Sequence, residues 1–129
     1  MPESIDAISH FTEGGVDDFC QMYMRYPSGA QATLGCGFVG RGRSDRMVIH
    51  GTKASLWADI EFNQQGVNKF DIRTDSGKEC FEINVRSNYC LEVEQLGRCI
   101  LDGEKPHISE EFSIEVATVI ERVLEKIGY

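Results

Sequence analysis

The chain has 129 residues, of which 41% are hydrophobic and 26% are charged, and its formal net charge is −8. This length predicts a single domain, residues 1–129, with a core of ordinary composition. The negative charge argues against nucleic acid or an anionic membrane as partner, because both attract an excess of Lys and Arg. No apolar run approaches the roughly 20 residues that span a bilayer, and the first residues lack a signal-peptide pattern. We therefore expect a cytoplasmic location.

Five cysteines are spread through the sequence without a Cys-x-x-Cys pair. Their odd number and the lack of a secretion signal predict reduced thiols that act as small packing residues. The three histidines are scattered, and none stands at metal-ligand spacing from a cysteine, so we expect no metal site. The cysteines are Cys20, Cys36, Cys80, Cys90 and Cys99.

Strand-like segments fill the first two thirds of the chain. Alternating apolar and polar residues, bounded by turns rich in Gly, Pro and Asp, predict about seven strands. The short turns between them favour a large, mainly antiparallel sheet. The predicted strands are residues 4–12, 16–26, 30–38, 46–50, 54–61, 66–74 and 79–85.

Two helices close the chain. Ser87 or Asn88 caps the first helix. Gly103 ends this helix, and Pro106 prevents it from resuming. Ser109 caps the second helix, which continues toward the last residues. The fold class predicted from this order is α+β, with a large open sheet and the helices packed on one of its faces. The apolar stripe of the first helix is Tyr89, Val93, Leu96 and Ile100, and that of the second is Phe112, Val116, Val119, Ile120, Val123 and Ile127.

Two helices can cover only one face of so wide a sheet. In the second strand, one face carries Cys20, Met22 and Met24, and the other face carries Phe19 and Tyr23. The sequence leaves open which row lies on the uncovered face. An exposed apolar face of this size is unusual in a monomer, so we expect self-association through it, most simply as a homodimer.

Residues 35–40, Gly-Cys-Gly-Phe-Val-Gly, match the glycine pattern of dinucleotide-binding sites and follow a strand. That pattern functions where the glycines open a helix whose N-terminus meets the pyrophosphate. Here a Gly- and Arg-rich loop and another strand follow, so no cofactor-binding residue is predicted.

Arg41, Arg43 and Arg46 form the one basic cluster of an acidic chain. Guanidinium groups offer fixed, forked donors that suit an anion or a sugar hydroxyl. The alternative interpretation is a cluster that serves solubility or salt bridging. Ser, His and Asp occur without the spacing of a catalytic motif, so no catalytic residue is predicted.

Several segments resemble the Gfo/Idh/MocA family, the group of glucose–fructose oxidoreductase and inositol dehydrogenase. Residues 16–30 resemble a strand–turn–strand of the family. Residues 49–56 resemble its I-x-G-T-x-G-x-L turn, with Ala54 in place of the usual Gly. Residues 88–103 and 106–111 resemble its penultimate helix, the following loop and the start of its final helix. Together these matches cover nearly the whole chain.

The resemblance implies the C-terminal domain of an NAD(P)-dependent oxidoreductase, a dehydrogenase of a sugar, polyol or related compound, without its Rossmann domain. In the family, the Rossmann domain binds NAD or NADP and supplies the catalytic Lys. This chain is therefore expected to lack a cofactor and to be inactive alone, with the parent's Rossmann domain and a second copy as partners. Lys105, within Glu-Lys-Pro, matches a loop of the family rather than the catalytic Lys.

The resemblance also assigns substrate contacts to Tyr89, Arg43 and Arg46. Tyr89 matches a position at a helix start that often points into the substrate pocket, although a core aromatic would give the same pattern. Arg43 and Arg46 match a stretch that lies near the substrate in some relatives. Two other interpretations stay open: a stand-alone, non-catalytic dimerisation or binding module of this fold, and a free-standing enzyme of another kind.

Overall fold

The computed structural model describes residues 1–39, 46–58 and 65–129. The described residues form two compact units: residues 1–39 with 108–129, and residues 46–58 with 65–107. No helix in these ranges is long and apolar enough to cross a membrane. In chain order the elements are β1 (Ser4–Phe11), β2 (Asp17–Arg25), β3 (Gln31–Gly37), β4 (Met47–His50), β5 (Ser55–Ala58), β6 (Gly66–Thr74), β7 (Gly77–Val85), α1 (Asn88–Asp102) and α2 (Glu110–Ile127).

The first unit is an antiparallel sheet of order β1-β2-β3, against which α2 packs. Its core joins Ile5 of β1, Cys20 and Met24 of β2, and Val123 of α2, all of which are buried. Ile5 and Met24 are directly opposed across the two strands, so their side chains share one face of the sheet. The apolar stripe of α2 supplies Val123 to that face.

Within the described residues of this unit, no helix covers the opposite face of this sheet. It carries Phe19, which is 38% exposed, and the half-buried Tyr23. Ile8 of β1 pairs with Gln21 on the same face and is 73% exposed. The row with Cys20 and Met24 therefore packs under the helix, and the row with Phe19 and Tyr23 is the uncovered one.

A side-chain cap defines where α2 begins, and Tyr129, beyond the end of the helix, attaches the end of the chain to the sheet. The Ser109 hydroxyl accepts a hydrogen bond from Phe112 N at 3.2 Å. Hydrogen bonds from its own backbone N–H and from Ser109 lower the pKa of Glu111. The Tyr129 hydroxyl donates to Asp17 Oδ1 at 2.8 Å. This last contact spans almost the whole chain and was not predicted.

Gly35 and Gly37, two glycines of the pattern at residues 35–40, lie in β3. A Cβ built on Gly37 would lie 2.6 Å from the backbone oxygen of Asp18 and 2.8 Å from the Phe19 ring, so only glycine fits there. Close strand packing thus accounts for this glycine. Gly40, the third glycine of the pattern, lies outside the described residues.

The second unit holds α1 and an antiparallel sheet of order β4-β5-β6-β7. Ser87 caps α1 by accepting a hydrogen bond from Cys90 N, and Gly103 ends the helix with a φ of 70°. The apolar stripe of α1 is exposed in this chain, although an apolar helix face normally packs against a core. Its residues Tyr89, Val93, Leu96 and Ile100 are 60–72% exposed.

The predicted fold class, α+β with antiparallel pairing and two terminal helices, is confirmed. The described strands divide into sheets of three and four strands. This division was not predicted, because turn lengths and alternation locate strands without specifying which edges pair.

Replacing Met24 with Ala should lower the free energy of unfolding by about 2–4 kcal/mol, because the cavity would lie in the buried cluster beneath α2. Urea unfolding followed by circular dichroism measures this change. Glu13→Ala in an exposed turn is the control and should change stability by less than about 0.5 kcal/mol. An equal loss in both variants would contradict the position of the core.

Candidate substrate-binding site

A pocket of about 330 Å³ opens on the four-stranded sheet of the second unit. Arg46 directly precedes β4, Trp57 lies in β5, and three charged residues lie in β6. Three cationic side chains and one carboxylate line the pocket, on a chain whose net charge is −8. The lining residues are Arg46, Trp57, Ala58, Lys69, Asp71 and Arg73.

Strand register brings these residues together. Trp57 pairs directly with Asp71, and Ser55 pairs with Arg73, between β5 and β6. Directly opposed residues share a face of the sheet, and alternation along β6 adds Lys69 to the same face. Residues more than ten positions apart in the sequence therefore meet around one indole ring.

Contacts on two sides orient the Trp57 ring. The Arg73 guanidinium carbon lies 4.3 Å from the ring centroid, which is a cation–π contact. The centroid of the His50 ring lies 5.8 Å from that of the Trp57 ring, and the two planes form an angle of 85° in an edge-to-face arrangement. His50 Nδ1 is in turn 3.0 Å from Ser55 Oγ. The indole is thus held between two side chains at the wall of the pocket.

Asp71 is the anionic centre of the pocket. Lys78 Nζ lies 2.7 Å from its Oδ2, and Arg73 Nη2 lies 3.5 Å from the same oxygen. The hydrogen bond from Lys78 is the main cause that lowers the pKa of Asp71. The Cys80 thiol donates to Asp71 Oδ1 at 3.1 Å, and this bond to a carboxylate raises the pKa of Cys80. Asp71 therefore stays ionised at neutral pH while Cys80 stays protonated.

Lys69 is paired with Glu82 across β6 and β7, with Nζ 2.8 Å from Oε1. This hydrogen bond raises the pKa of Lys69. Both side chains are exposed, and such pairs contribute little to stability because water screens them. The pair holds the Lys69 ammonium at the rim of the pocket.

Of the three substrate residues predicted from the sequence, the structure places Arg46 in this pocket. Arg43 lies outside the described residues. Tyr89 is the second residue of α1, is 66% exposed, and is not among the lining residues. The exposure means that Tyr89 is not a core aromatic of this chain.

Local sequence patterns did not predict Trp57, Lys69 or Arg73 as residues of a site. Alternation in residues 69–73, Lys-Phe-Asp-Ile-Arg, already places three charges on one side of a strand. Their position beside Trp57 depends on the pairing of β5 with β6, which no local pattern specifies.

The site is equipped for binding. Guanidinium and ammonium groups bind anions and hydroxyls, and an indole face packs on apolar or sugar-ring surfaces. Within residues 1–39, 46–58 and 65–129, no three His, Cys, Asp or Glu side chains cluster so that they could hold a metal ion.

A family model, the GFO/IDH/MocA C-terminal domain, matches residues 1–57 of the chain. Among curated proteins, trans-1,2-dihydrobenzene-1,2-diol dehydrogenase of Sus scrofa is 29% identical over 136 aligned residues, and that of Mus musculus is 27% identical over 134. Each match covers 98% of this chain and 40% of the relative. The chain thus spans about two fifths of the length of these relatives.

Solved structures share the fold. UDP-N-acetylglucosamine 3-dehydrogenase GnnA from Acidithiobacillus ferrooxidans superposes with a TM-score of 0.81 at 16% identity, covering 98% of this chain and 40% of its own. KijD10, a 3-ketoreductase from Actinomadura kijaniata in complex with NADP and TDP-benzene, superposes with a TM-score of 0.83 at 18% identity. This match covers 95% of the present chain and 38% of the KijD10 chain.

These findings confirm the resemblance predicted from the sequence. The chain resembles the C-terminal domain of Gfo/Idh/MocA-family oxidoreductases. At identities below one fifth, the structural matches show the fold, and function requires its own argument.

The pH dependence of Cys80 alkylation tests the Asp71 contact. Replacing Asp71 with Asn removes the negative charge that favours the protonated thiol, so the pKa of Cys80 should fall. The rate of iodoacetamide labelling, followed by peptide mass spectrometry, should reach its midpoint at a lower pH in the variant. Cys90 is exposed on α1 and serves as internal control, with an unchanged profile. Identical Cys80 profiles would mean that the thiol does not donate to Asp71.

Proposed function

We propose that the chain is the substrate-pocket and oligomerisation domain of an NAD(P)-dependent oxidoreductase that acts on a sugar, a polyol or a related compound. The observation that carries this proposal is the match of 98% of the chain to two fifths of a dehydrogenase, together with the shared fold. In this proposal residues 1–129 act as one domain. The cytoplasmic location stays a prediction.

The cofactor in this proposal binds to the Rossmann domain of the parent chain. NADP is present in the KijD10 complex that shares the fold, which supports NAD or NADP as the cofactor of the parent. This chain contributes neither a catalytic group nor a cofactor ligand, and is inactive alone. Its part in catalysis is to hold the substrate, since correct positioning of a reactant lowers the barrier of the chemical step.

The substrate contacts in this proposal come from Arg46, Arg43 and Tyr89. Arg46 lines the pocket beside Trp57, where a guanidinium can donate to an anion or a hydroxyl while the indole packs on a ring. Arg43 is included because it belongs to the same basic cluster of the sequence. The exposed phenol of Tyr89 can exchange a hydrogen bond with a substrate hydroxyl.

The exposed stripe of α1 is the proposed contact for the Rossmann domain. Tyr89, Val93, Leu96 and Ile100 are each at least 60% exposed in this chain. Burial of each such side chain stabilises a complex by about 1.5–3 kcal/mol, so the exposed stripe favours contact with another apolar surface. A contact at this place would also bring Tyr89, at the start of the helix, close to the cofactor domain.

The open face of the three-stranded sheet is the proposed surface of self-association. Ile8, Phe19 and Tyr23 lie there without cover from α2. A two-fold related copy would bury these residues against each other in an isologous interface.

Activity of the full-length gene product, isolated from its source cells with antibody to this domain, tests the proposed reaction. Reduction of NAD or NADP should be detected with a sugar, a polyol or a dihydrodiol, while the 129-residue chain alone should bind neither cofactor. In that product, Arg46→Ala and Tyr89→Phe should each raise KM about tenfold with little change in kcat, because they remove binding interactions.

Lys126→Ala, at the exposed end of α2, is the control and should leave both kinetic constants unchanged. A native product of the same size as this chain, without oxidoreductase activity, would contradict the proposal and favour a stand-alone binding module of the same fold.

Self-association is tested by replacing Tyr23 with Lys, which places a charge in the middle of the open face. The variant should sediment as a monomer at concentrations where the unaltered chain is a dimer, with an unchanged circular dichroism spectrum. Glu13→Lys, in the turn before β2, introduces a lysine outside that face and should remain a dimer. An unchanged mass of the Tyr23→Lys variant would rule out this face, and its unfolding would mean that Tyr23 packs in the core.

A further inference from the structure

Strands β2 and β3 place two free cysteines directly opposite each other. Cys20 and Cys36 are register partners of this antiparallel pair. Two positions further along the strands, Phe38 N donates to Asp18 O at 2.8 Å, so Asp18 and Phe38 form a hydrogen-bonded pair. Because hydrogen-bonded and non-hydrogen-bonded pairs alternate, the two cysteines also form a hydrogen-bonded pair, with Cα atoms about 5.5 Å apart. Disulfides form at Cα separations of roughly 4.4–6.8 Å.

The two thiols differ in access and share a face. Directly opposed side chains lie on the same side of a sheet, here the side that α2 covers. Cys20 is buried in the core cluster, whereas Cys36 is exposed. Burial is the main cause that raises the pKa of the Cys20 thiol.

We propose that Cys20 and Cys36 are a reversible oxidation site, at which a peroxide converts the two thiols into a disulfide between β2 and β3. This site lies outside the pocket around Trp57, and the proposal does not depend on the oxidoreductase function.

The exposed Cys36 reacts first. Its thiolate attacks one oxygen of hydrogen peroxide, the O–O bond breaks, and Cys36 becomes a sulfenic acid while hydroxide leaves and takes up a proton. The sulfur of Cys20 then attacks the sulfenic sulfur, the S–S bond forms, the S–O bond breaks, and the proton of Cys20 leaves with the hydroxyl as water. Two thiols are oxidised, and one peroxide is reduced to two waters.

The register favours a disulfide that is readily reduced. In antiparallel pairs the Cβ atoms are about 4.5–5.5 Å apart, with hydrogen-bonded pairs at the far end, whereas a disulfide needs about 3.5–4.5 Å. The two strands must therefore approach each other locally, and the strain makes the bond more reducible than a structural disulfide. Exchange with a dithiol returns both cysteines to their reduced form.

Peptide mapping of the unaltered chain tests the site. The reduced protein is treated with stoichiometric hydrogen peroxide, alkylated and digested with trypsin without reductant. Trypsin cleaves after Arg25, between the two cysteines, so the disulfide joins two separate peptides. We expect this linked pair, loss of two alkylatable thiols per chain, and full recovery with dithiothreitol. The other three cysteines, Cys80, Cys90 and Cys99, should remain alkylatable.

Two substitutions separate the roles of the thiols. In Cys20→Ser, Cys36 should stop at a sulfenic acid that dimedone traps. In Cys36→Ser, an exposed change that does not disturb the core, the linked peptides should disappear and Cys20 should stay reduced. Cys90→Ser is the matched control and should behave as the unaltered chain.

Oxidation of Cys36 to a sulfinic acid without the linked peptides, in the unaltered chain, would overturn the proposal. So would a disulfide that joins either cysteine to another chain, or a protein in which both thiols resist peroxide. If Cys20→Ser fails to fold, the Cys36→Ser variant and the unaltered chain decide the matter by themselves.

Discussion

The packing of α2 on the three-stranded sheet is the constraint on which the first unit depends. Val123 is buried against Ile5, Cys20 and Met24, whose side chains lie on the same face of the sheet. Because side chains alternate between the faces of a strand, burying this row leaves the row with Tyr23 uncovered. The register therefore determines the open face as well as the core, and a slip of one residue would exchange them. It also places Cys20 in the environment that raises its pKa.

The second unit also depends on strand register, which here brings polar and charged side chains together. Pairing of β5 with β6 collects charged side chains around Trp57, and Asp71 balances part of that charge through Lys78 and Arg73. The helix of this unit leaves its apolar stripe uncovered. Among the described residues there are thus two uncovered apolar surfaces, and surfaces of this kind commonly contact another protein surface.

Local patterns predicted the elements well where caps and turns bound them. The strand predicted at residues 66–74 coincides with β6, and α2 begins directly after its predicted cap, Ser109. The strand predicted at residues 79–85 begins two residues earlier, at Gly77, because strand pairing continues through the turn. Among the residues that line the pocket, Arg46 had been named from the sequence because it belongs to a local basic cluster. Trp57 was not, since its neighbours come from another strand.

The sequence by itself determined the order of strands and helices, the caps, the acidic charge and the resemblance to a family, because each depends on residues that are neighbours in the chain. Only the tertiary structure decided which face of the first sheet is open, that Cys20 and Cys36 are opposed, and that three cations and Trp57 line one pocket. These features depend on strand pairing and on the position of a helix. Both depend on the burial of apolar surface between residues that are far apart in the sequence. Local sequence patterns do not specify such contacts.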